Sequence, residues 1–173
     1  MTTRRGELLA ALSSYRSARI GFLEALGCSQ SNRDPFAEFA EVLAHAILGG
    51  SLAVNRVQKD YDLVTEAGEF VQVRYLANPN GPWVNGHIVD FRGACDIYAL
   101  LIIEAFDAKA LITFSSEGLA DLCDALGRRH GEQRVTLQLT RANYKALRSN
   151  PTRWNRYGVN ITALDPPATA ELA

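Results

Sequence analysis

The residues that could do chemistry in this chain lie in the segment 61–76, which reads YDLVTEAGEFVQVRYL. Strand-forming residues on either side of Gly68 predict a β-hairpin. If a three-residue loop ends at Gly68 in the left-handed conformation, the register places Asp62 directly opposite Gln72. Side chains alternate along a strand, so Arg74 falls on the same face. The hairpin therefore brings together a carboxylate, an amide and a guanidinium.

The hairpin is expected inside a sheet, because apolar residues occur on both of its faces. Polar groups are costly to bury without partners, so such a cluster forms either a closed hydrogen-bonded network or a metal-dependent active site. The outcome depends on the turn. A two-residue turn at Ala67 and Gly68 would pair Asp62 with Val73 and move Gln72 to the wrong side.

Phosphodiester hydrolysis is the chemistry that these side chains suit. It requires hard oxygen ligands for Mg²⁺, an oriented water and a cation beside the developing negative charge. Asp62 supplies a carboxylate, and Gln72 supplies a neutral carbonyl oxygen. Arg74 supplies a cation that orients phosphate, but a guanidinium keeps its proton and is a poor proton shuttle.

An acidic helix is expected immediately before the hairpin. Asp34 and Pro35 give the signal for an N-cap and a first helical turn, and a pair of glycines ends the apolar pattern near residue 48. Glu38 and Glu41 lie on a stripe beside the apolar face of this helix. Either one is a candidate for a second carboxylate ligand, and the alternative is a solvated stripe.

The remaining pattern predicts an α/β or α+β fold with a mixed central β-sheet flanked by helices. Residues 3–26 form an amphipathic helix that is a candidate homodimer face, and the apolar run 97–105 is expected to be central in the sheet. Further strands are expected at 87–91, 109–114, 135–139 and 158–164. Ser115 or Ser116 is the expected cap of a helix that ends near residue 126, and Thr140 that of a helix over 140–147.

This order of elements resembles the PD-(D/E)XK nuclease superfamily, which has the restriction-endonuclease-like fold. In that family an Asp on one strand, an acid and a Lys on the next, and often a Glu from a preceding helix bind Mg²⁺ and activate water. The resemblance covers residues 35–115 and assigns Asp62 to the motif Asp, Gln72 to the acid, Arg74 to the Lys, and Glu38 or Glu41 to the helix Glu.

The resemblance implies a DNA endonuclease dependent on Mg²⁺ or Mn²⁺, with a role in restriction or in defence against mobile elements. Asp62, Gln72 and Arg74 are then the catalytic residues, and the metal ligands come from Asp62, Gln72, Glu38 and Glu41. Because Gln and Arg replace an acid and Lys, two alternatives stay open. One is a catalytically inactive nucleic-acid-binding module of the same fold, and the other is a partner subunit of a larger complex.

Basic residues are concentrated near the C-terminal end, although the net charge of the chain is only −1. Residues 128–156 contain eight Lys and Arg against one acid, with Tyr144 and Trp154 between them and Tyr157 directly after them. This mixture suits contacts to DNA phosphates with stacking against bases, and the alternative is a solvated basic face. The predicted nucleic-acid contacts are Arg128, Arg129, Arg141, Lys145, Arg148, Arg153 and Arg156.

The 173 residues are expected to form a single domain. Its parts are an N-terminal helix and loop (1–33), the nuclease-like core (34–115), a basic part (116–165) and a loose tail (166–173). The chain has no apolar run long enough for a membrane span and no secretion signal, so the expected location is the cytoplasm. His87 is expected to be a loop or binding residue, and Asp96 a buried hydrogen-bond acceptor outside the site.

Overall fold

The computed structural model describes residues 3–54, 60–78, 80–83, 86–126 and 135–164. The helices are α1 (Arg4–Ala25), α2 (Pro35–Leu48), α3 (Leu119–Ala125), α4 (Arg141–Ser149) and α5 (Pro151–Trp154), which continues into a 3-10 turn, Asn155–Tyr157. The strands are β1 (Ser51–Leu52), β2 (Leu63–Val64), β3 (Phe70–Asn78), β4 (His87–Asp90), β5 (Ile97–Glu104), β6 (Asp107–Ser115), β7 (Thr136–Leu139) and β8 (Val159–Ala163). The expected loose tail and the basic residues Arg128 and Arg129 lie outside the described part.

The main sheet has six strands in the order β1-β2-β3-β5-β6-β8. Strands β3 and β5 are parallel, whereas the other neighbouring pairs are antiparallel. A second sheet consists of the antiparallel pair β4 and β7. The fold is therefore mixed α/β, with a central mixed sheet flanked by helices, as predicted. The apolar run at β5 lies between two long strands, which also confirms its central position.

The two faces of the main sheet pack against different layers. On one face Val71 and Val73 of β3 join Ala40 and Ala44 of α2 in a buried cluster. Gln72 and Arg74 alternate with these valines and so belong to the opposite face. That face carries the larger cluster, in which residues of α3, α4, α5, β4 and β7 cover β5, β6 and β8. The candidate residues of the hairpin therefore lie on the side of α4, away from α2.

Helix α3 begins later than the sequence pattern predicts. Its N-cap is Gly118, with no side-chain cap, whereas Ser115 belongs to β6 and donates its backbone N–H to Gly158 at 2.9 Å. A Cβ at position 118 would lie 2.1 Å from the carbonyl oxygen of Tyr157, so only glycine allows this close approach. The short helix α5 was not predicted, while Thr140 caps α4 through a capping box as expected.

Helix α1 has the predicted extent, and most of its apolar residues are exposed. Leu23 is its only buried residue within the described part of the chain. The side chains of Leu8, Leu9, Leu12 and Tyr15 are more than half exposed. Most of this amphipathic helix therefore presents an uncovered apolar face. No helix in the described ranges has the length and hydropathy to cross a membrane.

Candidate active site

The hairpin between β2 and β3 has the predicted register. Leu63 pairs with Val71, and the backbone N–H of Thr65 donates to Glu69 at 3.0 Å, closing a three-residue loop. Gly68 has a φ of 84°, which is the left-handed conformation that this loop requires. The alternative two-residue turn is not formed. Continuing this register places Asp62 opposite Gln72.

The carboxylate of Asp62 is the centre of the site. Its Oδ2 atom accepts hydrogen bonds from Nε2 of Gln72, from the backbone N–H of Val73 at 2.7 Å and from the guanidinium of Arg74 at 3.5 Å. Asp62 and Gln72 are both 8% exposed. The three side chains predicted to meet do so, and donors from the adjacent strand fix one oxygen of the carboxylate.

Two oxygen atoms of this cluster accept no hydrogen bond from any described residue. One is Oδ1 of Asp62, because all three donors go to Oδ2. The other is the amide oxygen of Gln72, because its Nε2 is the atom that donates to Asp62. A carboxylate oxygen and an amide oxygen are both suitable ligands for a hard cation such as Mg²⁺.

The hairpin is more open than the sequence predicts. The side chain of Arg74 is 49% exposed, and Phe70 is 39% exposed, so apolar residues on this face do not make it interior. The layers that cover Tyr98 and Leu100 of β5 leave Arg74 and Phe70 accessible, whereas Asp62 and Gln72 stay buried. Arg74 also donates to the carbonyl of Val73 at 2.8 Å, which holds its guanidinium beside Asp62.

Burial raises the pKa of Asp62. Removal of the carboxylate from water is the largest cause, and repulsion from Glu41 adds to it. The Val73 N–H and the charges of Arg74 and Arg33 lower the pKa and offset part of this effect. Ionisation of Asp62 therefore carries a desolvation penalty that a bound cation would offset. A perturbed acid of this kind is characteristic of functional sites.

The two helix acids are buried, so the alternative of a solvated stripe is wrong. Glu38 accepts a hydrogen bond from Ser31 at 2.6 Å, and Glu41 forms a two-bond ion pair with Arg33 that includes a contact of 2.9 Å. Glu41 affects the pKa of Asp62, so its charge reaches the site from α2. Within the described residues no three acidic, His or Cys side chains form a ready cation site.

A second polar pair extends the site across β5. Tyr98 is the neighbour of Gln72 in the parallel register of β3 and β5, and its hydroxyl lies 2.8 Å from Nε2 of His87 on β4. Burial lowers the pKa of His87, and the charge of Arg74 lowers it further. Sequence reasoning missed Tyr98, because it occurs within a run of apolar residues. Parallel pairing of strands separated along the chain brings it to the site.

The basic region differs from its prediction at three residues. Arg141 forms an ion pair with Glu104 at 2.6 Å, so its charge is compensated inside the protein. Tyr144 and Trp154 are buried in the core and cannot stack against bases as predicted. The reason is the helical period, which turns Tyr144 and Leu147 of α4 inward together. The exposed cations that remain in the described part are Lys145, Arg148, Arg153 and Arg156.

Three of these exposed cations form cation–π contacts with aromatic rings. The guanidiniums of Arg148, Arg153 and Arg156 lie over the rings of Tyr144, Trp154 and Tyr157 at 5.7, 5.0 and 4.6 Å. Such contacts restrict the side chains while leaving their charges at the surface. Asp96, in contrast to its prediction, is exposed, although it accepts a hydrogen bond from the Phe70 N–H at 2.8 Å.

Comparison of the sequence with models of protein families and with curated proteins finds no match. The functional interpretation therefore depends on the geometry around Asp62 and on the basic surface. These features are separate in the sequence but lie on the same side of the main sheet, since α4 packs on the face that carries Gln72 and Arg74.

Proposed function

We propose that this protein is a Mg²⁺-dependent endonuclease that hydrolyses DNA phosphodiester bonds, with restriction or defence as its role. The observation that carries the proposal is the Asp62 carboxylate, which is bound by Gln72 and Arg74 at an open end of the sheet. A carboxylate, a carbonyl oxygen and a half-exposed cation are what phosphoryl transfer requires. The order of a Glu-bearing helix followed by a three-stranded meander supports the PD-(D/E)XK resemblance.

The donor atoms fit a hard divalent cation. Oδ1 of Asp62 and the amide oxygen of Gln72 would hold it. Bound there, Mg²⁺ would polarise the phosphate and make a water ligand more acidic. Gln72 gives the site one charge fewer than an acid at that position would, so we expect weak metal binding in the absence of DNA.

The remaining residues act on the phosphate. Arg74 is held at Asp62 by one hydrogen bond and at Val73 by another, and half of its side chain faces solvent. A guanidinium at this position stabilises the charge that develops on the phosphate oxygens during attack. Asp62 therefore has two roles. Its Oδ2 orients Arg74, and its Oδ1 would bind the cation.

The exposed cations of α4 and α5 are the proposed DNA-binding surface. Lys145, Arg148, Arg153 and Arg156 are exposed, and three of them are supported by aromatic rings. Ordered guanidiniums lose less side-chain entropy when they bind phosphate than free ones do. DNA held on this surface would pass on the side of the sheet that carries Arg74.

The proposal is tested by incubating plasmid and linear DNA with the protein and Mg²⁺ or Mn²⁺. We expect cleavage by the wild type and none by Asp62→Asn, while Asp107→Asn remains active because Asp107 forms an ion pair with Lys109 and lies opposite Glu104, at the other end of β5 from Tyr98. Equal products from wild type and Asp62→Asn would contradict the assignment. RNA of the same sequence serves as the comparison substrate.

A catalytically inactive nucleic-acid-binding module is the second candidate function. Gln72 and Arg74 favour it, since they replace the acid and the Lys of the motif that the hairpin resembles. Calorimetry with Mg²⁺ and with a short DNA duplex separates the two candidates. DNA binding without metal binding or cleavage would identify the binding module, and metal-dependent cleavage lost in Asp62→Asn would identify the nuclease.

We also propose that two copies of this chain associate through α1. Leu8 and Leu12 lie on the same helical face as Leu23, at spacings of four and eleven residues, so the stripe that packs at Leu23 continues uncovered toward the N-terminus. Beside it lies an apolar cavity of about 490 Å³, lined by Tyr15, Phe22, Phe36, Phe39 and Phe106. Exposed apolar surface of this kind favours association.

Light scattering over a range of concentrations tests the dimer. We expect Leu8→Glu with Leu12→Glu to shift the protein toward monomer, because charges would replace the apolar contact. Ser14→Glu lies on the opposite side of α1 and is the matched control. A monomeric wild type at every concentration would contradict the proposal. The proposed compartment is the cytoplasm, where thiols such as those of Cys28, Cys95 and Cys123, which form no disulfide, stay reduced.

A further inference from the structure

The hydrogen bonds of Tyr98 fix the proton on His87. The Tyr98 hydroxyl lies 2.8 Å from Nε2 of His87 and 3.4 Å from the carbonyl oxygen of Ile88. Both contacts are hydrogen bonds only when the hydroxyl donates to the carbonyl oxygen of Ile88 and its own oxygen accepts from Nε2–H of His87. Burial raises the pKa of Tyr98, which keeps the hydroxyl protonated. His87 is therefore the tautomer whose lone pair is on Nδ1.

Nδ1 of His87 makes no hydrogen bond to a described residue, so its lone pair is available. The charged and titratable groups that act on the pair of His87 and Tyr98 are Arg74 on β3, Asp62 before β2, Asp90 on β4 and Cys95. Burial and the charge of Arg74 both lower the pKa of His87. The imidazole is thus neutral, oriented by Tyr98, and within electrostatic range of the guanidinium that contacts Asp62.

Among the described side chains assigned to the site, His87 is the one best suited to accept a proton. Arg74 keeps its proton at all relevant pH values. Oδ2 of Asp62 already accepts three hydrogen bonds, and Oδ1 is the atom that suits a cation. Of the other histidines, His45 lies at the end of α2, where Nε2 contacts the carbonyl of Gly50 at 3.2 Å, and His130 is outside the described residues.

We propose that His87 is the general base of the hydrolysis, oriented by Tyr98 as a positioning residue. This inference depends on the proposed nuclease function. It supplies a proton acceptor for a site in which Arg74 occupies the position of the motif Lys. Nδ1 of His87 takes a proton from water while the water oxygen forms a bond to phosphorus. The bond from phosphorus to the leaving sugar oxygen breaks with its electron pair, and that oxygen takes a proton from solvent. The imidazolium then returns its proton to solvent.

Nuclear magnetic resonance of the metal-free protein tests the geometry without any activity measurement. The His87 ring carbons should titrate with a midpoint below 6.5, and Arg74→Gln should raise that midpoint because it removes a neighbouring positive charge. A His87 midpoint at or above 6.5, or no response to Arg74→Gln, would overturn the assignment.

Kinetics test the catalytic role. His87→Gln keeps a donor toward Tyr98, and we expect kcat to fall by about 10²- to 10⁴-fold with little change in KM. The wild-type rate should rise with pH below 6.5 and then level off, and this limb should disappear in the variant. Imidazole added to His87→Ala should restore part of the rate. Tyr98→Phe should give a smaller loss, and His45→Gln should be close to wild type.

The outcomes separate the inference from the proposed function. If the wild type is active, Asp62→Asn is inactive and His87→Gln keeps the rate and pH profile of the wild type, the nuclease stands and the general base is another group. If the wild type cleaves no DNA with Mg²⁺ or Mn²⁺, both proposals fail. Thermal denaturation of each variant confirms that a lost rate is not lost folding.

Discussion

The Asp62 carboxylate accepts the backbone N–H of Val73 at 2.7 Å. Strand β2 has only two residues, so it does not reach the N–H groups of β3 beyond Val71. The side chain of Asp62 takes the place of the missing strand at the next such position. Asp62 therefore both ends the pairing of β2 with β3 and supplies the carboxylate of the candidate site. Its substitution should affect stability and activity through different interactions.

Asp62→Asn should abolish cleavage while leaving thermal stability unchanged or higher at pH 7. The pKa of Asp62 is raised in the folded protein, so folding is less favourable when the carboxylate is ionised. The penalty grows as pH rises from about 4 through the raised pKa, and below that window both proteins carry a neutral side chain and should be equally stable. The amide oxygen of Asn keeps an acceptor for Val73.

Thermal denaturation of the wild type and of Asp62→Asn between pH 3 and 8 tests whether the variant gains stability relative to the wild type as pH rises. Asp90→Asn is the control, because its ion pair with Arg92 lowers the pKa of Asp90 and predicts no gain in stability on neutralisation. A large loss of stability in Asp62→Asn at pH 7 would show that the carboxylate is a structural element of the hairpin and that its perturbed pKa has no functional meaning.

Gln72→Glu should strengthen metal binding and weaken the metal-free fold. The change removes the donor that now contacts Oδ2 of Asp62 and places two carboxylates together. The expected cost without metal is about 1–3 kcal/mol, and Mg²⁺ should recover it by binding the folded state. Chemical denaturation with and without Mg²⁺ measures both effects. Gln30→Glu, in an exposed loop, is the control and should respond to neither.

A structural feature of this protein was predictable from the sequence when the residues that determine it lie close together in the chain. The register that joins Asp62, Gln72 and Arg74 follows from the Gly68 turn within one hairpin, and it was predictable. The contribution of Tyr98 was not, because it requires the parallel pairing of β3 with β5 and the separate pairing of β4 with β7. Long-range pairing leaves no signal in the spacing of residues along the chain.

The basic residues 128–156 show a second reason why the sequence alone did not predict the structure. A count of charges along residues 128–156 does not distinguish the two sides of a helix. Within α4, Lys145 and Arg148 face solvent while Tyr144 and Leu147 face the core, and Arg141 is used in an ion pair with Glu104. The helical period contains this information, but the direction of the core becomes known only from the fold.

Replacement of Lys145 and Arg148 by Ala should weaken the dependence of DNA affinity on salt. Affinity is expected to fall with the logarithm of salt concentration at a slope of about −0.9 per neutralised phosphate, so two lost contacts should reduce the slope by nearly two units. Fluorescence anisotropy at several salt concentrations measures it. Arg16→Ala on α1 is the control, and an unchanged slope in the double variant would exclude this surface as the DNA contact.

Arg141→Ala should destabilise the fold and leave the salt slope of DNA binding unchanged. Its guanidinium contacts Glu104 at 2.6 Å and the carbonyl of Trp83 at 3.3 Å, and both side chains of the ion pair are largely covered. The expected loss is about 2 kcal/mol in the free energy of unfolding. Urea denaturation of the single variants and of the double variant with Glu104→Gln gives the coupling energy, and a value near zero would contradict this role.

The turn between β5 and β6 holds Ala105 at a φ of 52° and Phe106 at a φ of 64°. Two such residues in succession favour Asn and Gly, and other residues lose about 1–2 kcal/mol at each position. Phe106 nevertheless places its ring 6.0 Å from that of Phe36, on the wall of the apolar cavity. Ala105→Asn with Phe106→Gly would therefore yield a more heat-resistant protein with one wall of that cavity removed, so heat tolerance is opposed to the self-association proposed for α1 within a single hairpin.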